Sequence, residues 1–410
     1  MRVAHFCHRY PPAVGGSEAY FARLSSFLAA RGHQVVVFTS TAEDLSAFWD
    51  RSARQLQPGV TQEQGVEVRR LPLWHWPIAH RYLMKAASLL PGRRWQALTM
   101  PYNPILPGMR NIREPFDAVH ATAFPYSYPL ESARELAQRL GVPFLLTPFV
   151  HTGDPRDPHD PIRRAYTTSA LLDIARGADV VFVQTEGERR VLAECGVPAK
   201  NLVVQGLGVD VAECTGGDAA VYRSGASAPI LGHLANHSYE KGTIDLLEAA
   251  NLAWQGGARF ELLLAGPRMP AFERWYATYR PRGRVRLLGR LDAKQKCDFF
   301  AALDGFVLPS RSDSFGLVLP EAWANAVPVV VYDAGGPPWL VRDGVDGRVV
   351  PCGDRQALAA ALPEVLEQRV AWGTAGQARI QGEEFSWERS LKVVENVLIV
   401  ETVLSRLKNH

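Results

Sequence analysis

The sequence is short of paired cysteines and of long apolar runs. Its 410 residues include five cysteines, and none of them forms a Cys-x-x-Cys pair. This scarcity argues against a zinc site and a disulfide framework, and it predicts a reducing, cytoplasmic location. No stretch approaches about 18 uninterrupted apolar residues, so no membrane-spanning helix is predicted. The opening MRVAHFCHRYPP has no apolar core, and we therefore expect no signal peptide.

The chain also lacks a charge excess of either sign. It has 45 Lys and Arg against 42 Asp and Glu, for a net charge of +3. A dedicated nucleic-acid-binding protein shows a strong basic excess, so no nucleic-acid partner is expected. Charged residues make up 21% and hydrophobic residues 47%, which excludes disordered and fibrous classes. At about 150 residues per domain, the length predicts two or three domains.

Short β-branched runs alternate with helical patterns along most of the chain. Because the apolar runs are continuous, they predict buried parallel strands with helices on both faces of each sheet. The candidate strands form two series, at 2–8, 34–40, 118–122, 144–150 and 180–185, and at 229–235, 261–266, 285–289, 305–310 and 327–333. The Gly- and Ala-rich stretch 206–228 separates them. The pattern predicts an α/β protein with two doubly wound domains, followed by helices at 355–369 and 386–408.

The segment PPAVGGSEAY, residues 11–20, lies between the first strand and a predicted helix over 17–32. Gly15 and Gly16 let the backbone pass close to a ligand, and Ser17 is expected to cap the helix. The free amides of a helix N-terminus form an anion site. The spacing does not match the dinucleotide fingerprint, which argues against a dehydrogenase. A tight strand-to-helix turn is the alternative interpretation.

The second informative segment is SRSDSFGLVLPEAWANAVPVVVYDAGG, residues 310–336. A strand ends at Pro309, and a helix is expected to begin near Val318. Asp313 precedes this helix and Glu321 lies in its first turns, so both carboxylates can reach the ligand-binding edge of a parallel sheet. Carboxylates accept hydrogen bonds from sugar hydroxyls, and the loop amides can face a diphosphate. A solvated acid followed by an ordinary helix is the alternative.

These segments belong to a set that covers nearly the whole chain. The set comprises GG-S-E (15–18), His-Thr (151–152), VQTEGERRVLAECGV (183–197), GVD (208–210), EKG (240–242), LLLAGP (262–267), VRLLGRL (285–291), the acidic-x7-Glu pair (313–321), GG (335–336) and FSWERS (385–390). In this set the sequence resembles family 4 of the glycosyltransferases. The members of that family are retaining enzymes of the GT-B fold that use nucleotide-activated sugars.

The resemblance implies two Rossmann-like domains that face each other across a cleft. Residues 1–206, joined by 392–410 crossing back, would bind the acceptor, and 207–391 would bind the nucleotide sugar. The acceptor is left open as a lipid-linked molecule, a glycan or a small molecule. No cofactor is expected, since the nucleotide sugar is a substrate. No metal is expected either, and the spacing of His120, His151 and His159 fits no zinc signature.

The resemblance also implies the site residues. The catalytic set is His151, Lys241 and Asp313. The donor-binding set is Gly15, Gly16, His233, Lys241, Leu288, Arg290, Asp313, Phe315, Gly316, Leu317, Val318 and Glu321.

Within the donor-binding set, the resemblance assigns the ribose hydroxyls to Glu321 and the sugar hydroxyls to Asp313 with the amides of 315–316. The amides of 317–318, the Lys241 ammonium and the loop at Gly16 would approach the diphosphate. The backbone of 288–290 would lie near the base, and His151 would lie beside the donor sugar. Departure of a nucleoside diphosphate places charge on its phosphate, so cations and amides are the expected catalytic groups.

Three positions depart from the family pattern. Asp313 stands where Glu is usual and reaches one methylene less far. His233 replaces the usual Arg of the phosphate clamp, and a neutral imidazole is the weaker partner for phosphate. Arg268 or Arg290 is left as a substitute cation. Leu207 replaces the usual Asn before the GVD motif.

Two other functions remain open at this point. A nucleotide-sugar epimerase of the same fold would need an acid and a base around the sugar, and the sequence offers no clear pair. A degenerate sugar-nucleotide-binding protein is the alternative from a non-enzyme class. Epimerisation of the donor without an acceptor would identify the epimerase. Slow hydrolysis of the donor without an acceptor would argue against the non-enzyme alternative.

The segment 69–113 carries eight basic residues and no acidic one. Its cations are interleaved with Trp74, Trp76, Tyr82, Trp95 and Tyr102. A helix from Pro77 would place Ile78, Tyr82 and Ala86 on one face and Arg81, Lys85 and Ser88 on another. This pattern indicates contact with a membrane surface or a lipid-linked acceptor, which would place the protein at the inner face of the membrane. A partly buried insertion with a solvated basic rim is the alternative.

Overall fold

The computed structural model describes residues 1–76, 79–382 and 384–408, the last of them without its side chain. The contacts divide the described chain into two compact units. Unit 1 comprises 1–150, 164–205 and 391–408, and unit 2 comprises 151–163 and 206–390. Each unit is built around its own sheet.

The first part of the chain alternates strands and helices. The elements are β1 (Arg2–Phe6), α1 (Gly16–Ala30), β2 (Gln34–Ser40), β3 (Gly59–Glu63), β4 (Val66–Leu71), α2 (His80–Ser88), α3 (Arg93–Thr99), α4 (Pro107–Arg110), β5 (Ala118–Ala121), α5 (Ser127–Leu140), β6 (Phe144–Leu146), α6 (Pro161–Tyr166), α7 (Ser169–Arg176), β7 (Val180–Val183), α8 (Glu186–Glu194) and β8 (Leu202–Val204), with short 3-10 turns at Leu45–Phe48 and Ala199–Asn201. The division between the units falls within α6.

The sheet of unit 1 has the order β3-β4-β2-β1-β5-β6-β7-β8 among the described residues. All its pairs are parallel except β3 with β4. The register pairs Val3 of β1 with Val35 of β2 and with Ala118 of β5. The five strands predicted for the first series are confirmed, because continuous apolar runs are what a sheet buried on both faces requires.

The hairpin of β3 and β4 was not predicted. Its turn residues Gln64 and Gly65 have φ of 49° and 78°. Positive φ at both turn positions is the geometry that matches the twist of a two-residue hairpin. The usual signal for this turn is Asn-Gly or Asp-Gly, and β3 is polar and exposed. Only Gly65 and the alternation of apolar and charged residues over 66–69 offered a clue in the sequence.

The second part of the chain builds unit 2. The elements are α9 (Val211–Cys214), α10 (Ala220–Arg223), β9 (Ile230–Leu234), α11 (Thr243–Gln255), β10 (Glu261–Ala265), α12 (Pro270–Tyr276), β11 (Val285–Gly289), α13 (Ala293–Ala301), β12 (Gly305–Leu308), α14 (Val318–Ala324), β13 (Val329–Tyr332), β14 (Gly347–Val350), α15 (Arg355–Glu367) and α16 (Arg369–Ile380), with a 3-10 turn at Pro337–Trp339. The last helix, α17, spans Trp387–Lys408.

The sheet of unit 2 has the order β11-β10-β9-β12-β13-β14, with every pair parallel among the described residues. The five strands of the second predicted series are confirmed, whereas β14 was not predicted. The predicted helix at 355–369 ends at Glu367, and α16 follows it. The helix predicted over 386–408 is α17.

The order of the strands defines where each sheet offers a ligand site. In unit 2 the chain runs outward from β9 through β10 to β11, then returns to β12 on the other side of β9. In unit 1 the same reversal occurs between β1 and β5. Parallel sheets bind ligands beyond the carboxyl ends of the strands at such switch points. We therefore expect ligands to bind at the loops after β9 and β12 in unit 2, and at those after β1 and β5 in unit 1.

None of the described helices is both long enough and apolar enough to cross a membrane.

Candidate active site

The loops after β9 and β12 meet at the switch point of unit 2. The Lys241 ammonium donates to the Asp313 carboxylate (Nζ to Oδ1, 2.7 Å) and to the Ser312 carbonyl (2.8 Å). About a quarter of each charged side chain is exposed, 24% for Lys241 and 23% for Asp313. An ammonium group carries three donors, so two bonds within the chain leave one N–H of Lys241 for a ligand.

The charge of Asp313 is maintained by its neighbours. Burial raises the pKa of a carboxyl group, but Lys241 and Ser310 stabilise the ionised form and hold the pKa of Asp313 below its ordinary value. The site therefore presents an ion pair of one cation and one anion at neutral pH.

His151 lies beside this ion pair. Its Nδ1 is 2.7 Å from the Ser312 hydroxyl. Burial and the Lys241 charge lower the pKa of His151 to about 4, although Asp313 opposes the shift. The ring is neutral at neutral pH, so it can exchange hydrogen bonds with a ligand but adds no positive charge. The three side chains predicted as catalytic thus form one cluster in unit 2.

Arg311 fastens the two loops of this cluster together. Its backbone N–H donates to the Glu240 carbonyl (2.8 Å), and its guanidinium donates to the Tyr239 carbonyl (3.3 Å). The guanidinium lies 4.3 Å from the Tyr239 ring centroid and 5.4 Å from that of Tyr332. It also pairs with the buried Asp245 carboxylate. These contacts leave the loops little freedom to separate.

The GG pair of the sequence lies against the backbone of the loop between β12 and α14. The Gly336 N–H donates to the Asp313 carbonyl (2.8 Å). A Cβ on Gly335 would overlap that same carbonyl, and one on Gly336 would overlap the carbonyl of Ser314. Gly335 also has a φ of 70°, which favours glycine. The two glycines therefore allow the loop that carries Asp313 to approach β13.

The segment predicted to supply backbone amides forms the entry to α14. The Phe315 side chain is buried, and Gly316 has a φ of 91°. Leu317 caps α14 and Val318 is its first residue, as the sequence predicts. The helix therefore starts where expected. The contact of these amides with a diphosphate stays a prediction.

Glu321 lies in the first turn of α14 and is bound by a cation that the sequence analysis missed. The Lys296 ammonium of α13 is 2.7 Å from Glu321 Oε1. Burial raises the pKa of Glu321, while Lys296 opposes the shift. The carboxylate keeps 18% of its side chain exposed. Glu321 is thus a partly buried carboxylate on the same helix that the Asp313 loop enters.

His233 was predicted as a donor-binding residue in place of the usual Arg, and the structure buries its ring. The ring is fully buried in β9, where Nδ1 donates to the Val307 carbonyl (2.8 Å) and Nε2 accepts from the Thr243 hydroxyl (2.9 Å). Burial lowers the pKa of His233 to about 3, with a smaller contribution from His237. Both nitrogens are occupied and the ring is neutral. Its role in this arrangement is to tie β9 to β12 and α11.

The remaining predicted donor-binding residues of unit 2 lie on or beside the edge strand. Leu288 is half-buried on β11, and Arg290 is exposed directly after it. Arg268, one of the two candidate substitute cations, is exposed and pairs with Glu273 (3.4 Å). The roles of all three toward a base or a phosphate stay predictions.

The position of Leu207 is explained by packing. The side chain is buried, and the adjacent Gly208 lies against the backbone of Trp387, where a Cβ would overlap it. The Val209 N–H donates to the Phe385 carbonyl (2.9 Å). The GVD and FSWERS motifs of the sequence therefore meet in unit 2.

Gly15 and Gly16 belong to unit 1, at the switch point after β1. Gly15 is the N-cap of α1 and Gly16 its first residue, so Ser17 lies inside the helix and the prediction that Ser17 caps it is wrong. Its hydroxyl donates to the Glu18 carboxylate instead (2.7 Å). A Cβ on Gly15 would overlap Glu18, whereas Gly16 has open space around it. The absence of a side chain at Gly16 thus leaves room for a ligand.

Sequence reasoning missed Ser312, Arg311 and Lys296. Ser312 and Arg311 are adjacent to the predicted Asp313, and their position before it was the available signal. Lys296 is 25 residues from Glu321 in the chain. The two helices are separated in the chain by the strand β12, and the fold brings them together. No local sequence pattern could therefore have indicated this pair.

Among the described residues, no group of three or more His, Cys, Asp or Glu side chains is arranged to hold a metal ion.

The fold and the site together define a class of protein. Two parallel α/β units, one of them with a cation, two carboxylates and a helix entry at its switch point, are typical of a GT-B enzyme that takes a nucleotide sugar. Solved structures agree on the fold. Sucrose-phosphate synthase from Thermosynechococcus elongatus has a TM-score of 0.74 at 21% identity, covering 97% of this chain and 98% of that one. Anabaena HepE in complex with UDP-glucose has a TM-score of 0.69 at 18% identity, covering 98% and 100%.

Two family models match the chain, "Glycosyl transferase 4-like domain" over residues 15–208 and "Glycosyl transferases group 1" over 228–368. The D-inositol 3-phosphate glycosyltransferase of Acidothermus cellulolyticus is 28% identical, covering 94% of this chain and 85% of that protein. The glycogen synthase of Mycobacterium tuberculosis is 27% identical, covering 95% and 92%. The chain belongs to the group 1 glycosyltransferases of family 4. It is a GT-B glycosyltransferase of the hexosyltransferase class that uses a nucleotide-sugar donor.

Proposed function

We propose that the protein transfers a hexose from a nucleoside diphosphate to an acceptor hydroxyl with retention of the anomeric configuration. The observation that carries the proposal is the Lys241–Asp313 ion pair beside His151 at the switch point of unit 2. The proposed acceptor is the hydroxyl group of a lipid-linked molecule, a glycan or a small molecule.

The chemistry of the cluster favours a front-face route. The acceptor oxygen forms a bond to the anomeric carbon on the face from which the phosphate leaves. The bond between that carbon and the phosphate oxygen breaks, and the departing phosphate takes the proton of the acceptor hydroxyl. The step therefore needs stabilisation of phosphate charge. The remaining N–H of Lys241 supplies it, because His151 is neutral at neutral pH. Asp313 then accepts hydrogen bonds from sugar hydroxyls.

We propose that the ribose binds to Glu321. The amides of 317–318 face the diphosphate in this arrangement, and the backbone of 288–290 lies near the base. The backbone at Gly15 and Gly16 is proposed to approach a phosphate oxygen, and Gly16 has open space around it. His233 is not among the proposed ligands, since its nitrogens are occupied within the protein. No metal is needed in this scheme, and activity that EDTA abolishes and magnesium or manganese restores would contradict it.

The test is a ligand panel on the full chain. UDP, ADP and GDP are compared by the thermal unfolding midpoint, which rises for a ligand that binds only the folded state. UDP is the first probe because the Anabaena structure holds UDP-glucose. We expect one diphosphate to raise the midpoint, and Glu321→Gln to weaken that response. No response to any of them would overturn the proposal.

Fewer cations of the segment 69–113 are available to a membrane surface than the sequence indicated. The segment 69–113 contains no acidic residue, but five of its eight cations pair with carboxylates that lie outside it. The paired cations are Arg69, Arg70, Arg93, Arg94 and Arg110. The helix expected from Pro77 begins at His80 in the structure, and Pro77 and Ile78 lie outside the described residues.

The exposed side chains of α2 and the turn after it still favour a lipid surface. Tyr82 is 80% exposed and Leu89 is 78% exposed. Arg81 and Lys85 lie on the same helix, are exposed, and have no carboxylate partner among the described residues. Apolar side chains beside cations are typical of segments that bind anionic lipid. We propose that α2 contacts an anionic membrane surface.

Vesicle sedimentation tests this contact. The variant Arg81→Ser/Lys85→Ser/Leu89→Ser should lose salt-sensitive binding to phosphatidylglycerol vesicles. The control Lys200→Ser/Arg282→Ser removes two exposed cations elsewhere and should retain binding. The proposal is wrong if the unaltered protein does not sediment with these vesicles at low salt.

A further inference from the structure

The carboxylate proposed to bind ribose is in an environment that works against its charge. Glu321 is largely buried, and burial raises its pKa. Glu213 of α9 adds a like charge that acts in the same direction. The Cys214 thiol also faces it, and burial raises the pKa of that thiol to about 12, so it stays neutral. A protonated carboxyl group is a poorer acceptor for a diol than a carboxylate.

One cation opposes these effects. Lys296 projects from α13 and binds Glu321 Oε1 at 2.7 Å. Its side chain is 29% exposed, so the pair is screened only in part. The start of α14 adds a weaker favourable field for a negative charge in its first turn.

The contact also fixes the rotamer of the carboxylate. The α13 helix begins at a capping box of Asp292 and Gln295, which sets the position of the following turn. The bond to Lys296 occupies one lone pair of Oε1 and leaves Oε2 for hydroxyl donors. Lys296 therefore acts on the carboxylate that a ribose would use, while it leaves one of the two oxygens available.

We propose that Lys296 is a positioning residue for nucleotide recognition, which holds the Glu321 carboxylate charged and oriented toward the ribose hydroxyls. The proposal rests on the proposed binding of a nucleoside diphosphate in unit 2. Lys296 acts through Glu321 and does not itself touch the nucleotide.

The chain supplies a matched control. Lys294 lies on the same helix and pairs with Asp298 at 2.8 Å, and its side chain is 78% exposed. The substitutions Lys296→Met and Lys294→Met remove the same charge from the same helix, but only the first removes the partner of Glu321. Lys296→Arg keeps the charge and serves as the rescue variant.

The experiment is calorimetric titration with UDP at about pH 6 and about pH 8.5. We expect Lys296→Met to weaken UDP binding about tenfold at the lower pH, the difference between a charged and a neutral hydrogen-bond acceptor. The loss should shrink at the higher pH, where Glu321 ionises without help. Lys294→Met and Lys296→Arg should bind UDP as the unaltered protein does. The ionisation of UDP itself is common to all variants and cancels in the ratio.

A second probe separates ribose recognition from general damage to the fold. Dideoxyuridine diphosphate lacks both ribose hydroxyls, so its affinity should be the same in Lys296→Met and in the unaltered protein. Equal losses for both probes, or no loss of UDP affinity at either pH, would overturn the role of Lys296.

A measurement without ligand completes the test. The Glu321 carboxyl signal is assigned by comparison with Glu321→Gln in protein labelled with carbon-13 glutamate. Its titration midpoint should move to higher pH in Lys296→Met and stay in place in Lys294→Met. An unaltered protein that binds none of UDP, ADP and GDP would instead contradict the proposed function, which distinguishes the two failures.

Discussion

Lys241 is the residue on which phosphate stabilisation depends in this account. Its ammonium already holds the Ser312 carbonyl and the Asp313 carboxylate, and one N–H remains. We expect Lys241→Met to lower kcat by about 100-fold or more, as for the loss of a charge-stabilising donor. Initial rates at saturating donor measure it. A change confined to KM would mean that Lys241 binds the donor without acting in the transition state.

His233 illustrates how a residue in a family motif can serve the fold instead. With its pKa lowered to about 3, the ring is neutral at pH 6 as well as at pH 8. We expect His233→Ala to lower the unfolding midpoint, because two buried hydrogen bonds and ring volume are lost. Its effect on turnover should be the same at about pH 6 and about pH 8. A larger loss of turnover at the lower pH would indicate that a charged His233 ring acts on the phosphate.

Some residues of the candidate site could be predicted from sequence motifs, and others could not. Asp313, Lys241 and His151 were found because they stand in motifs, and the structure brings them together. The burial of His233 and the pairing of Lys296 with Glu321 depend on how distant elements pack. No local pattern encodes such contacts.

At the scale of the elements, the loop between β12 and α14 is held by backbone contacts as well as side chains. Gly336 donates to the Asp313 carbonyl, and a Cβ at this glycine would overlap the Ser314 carbonyl. We expect Gly336→Ala to displace the loop and to lower both UDP affinity and the unfolding midpoint. Gly344→Ala is a control for backbone strain, because Gly344 has a φ of 71° but open space around it.

The outcome for Gly336→Ala distinguishes two effects. If both variants are less stable but only Gly336→Ala loses UDP binding, the close approach of Gly336 to the Ser314 carbonyl is needed for the nucleotide site. Unaltered UDP affinity in Gly336→Ala would contradict it.

Elements with strong apolar runs were predictable, and exposed ones were not. All ten candidate strands were confirmed. Most of them are buried, which demands continuous apolar sequence, whereas the edge strand β11 is half-buried throughout. The strands that were not predicted, β3, β4, β8 and β14, each carry exposed or half-buried residues. Their pairing is set by neighbouring strands, which a single sequence does not display.

At the scale of the whole molecule, buried histidines make stability depend on pH. Burial lowers the pKa values of His5, His80, His120, His151, His233 and His237, to about 3 or 4 where the shift is resolved as a number. Unfolded histidines take up protons near pH 6.5, and the folded ones do not until about pH 4. The unfolded state therefore binds more protons in this window, and the free energy of unfolding falls as pH falls through it.

Thermal unfolding measured at about pH 7.5, 6.5 and 5.5 tests this dependence. We expect the midpoint to drop between the two lower values, where ordinary carboxylates are still ionised. His120→Gln, which retains an amide near the Thr147 hydroxyl, should show a smaller drop. A midpoint that is constant down to about pH 5 would contradict the expected proton uptake.

We propose that two carboxylates of unit 2 bind different parts of the donor, Glu321 the ribose and Asp313 the sugar. Calorimetric titration of UDP, which carries no sugar, into Glu321→Gln and Asp313→Asn tests it most directly. We predict a loss of about tenfold for Glu321→Gln. We predict no loss for Asp313→Asn, because removing the carboxylate frees Lys241 for the diphosphate. Equal weakening by the two substitutions would contradict the account.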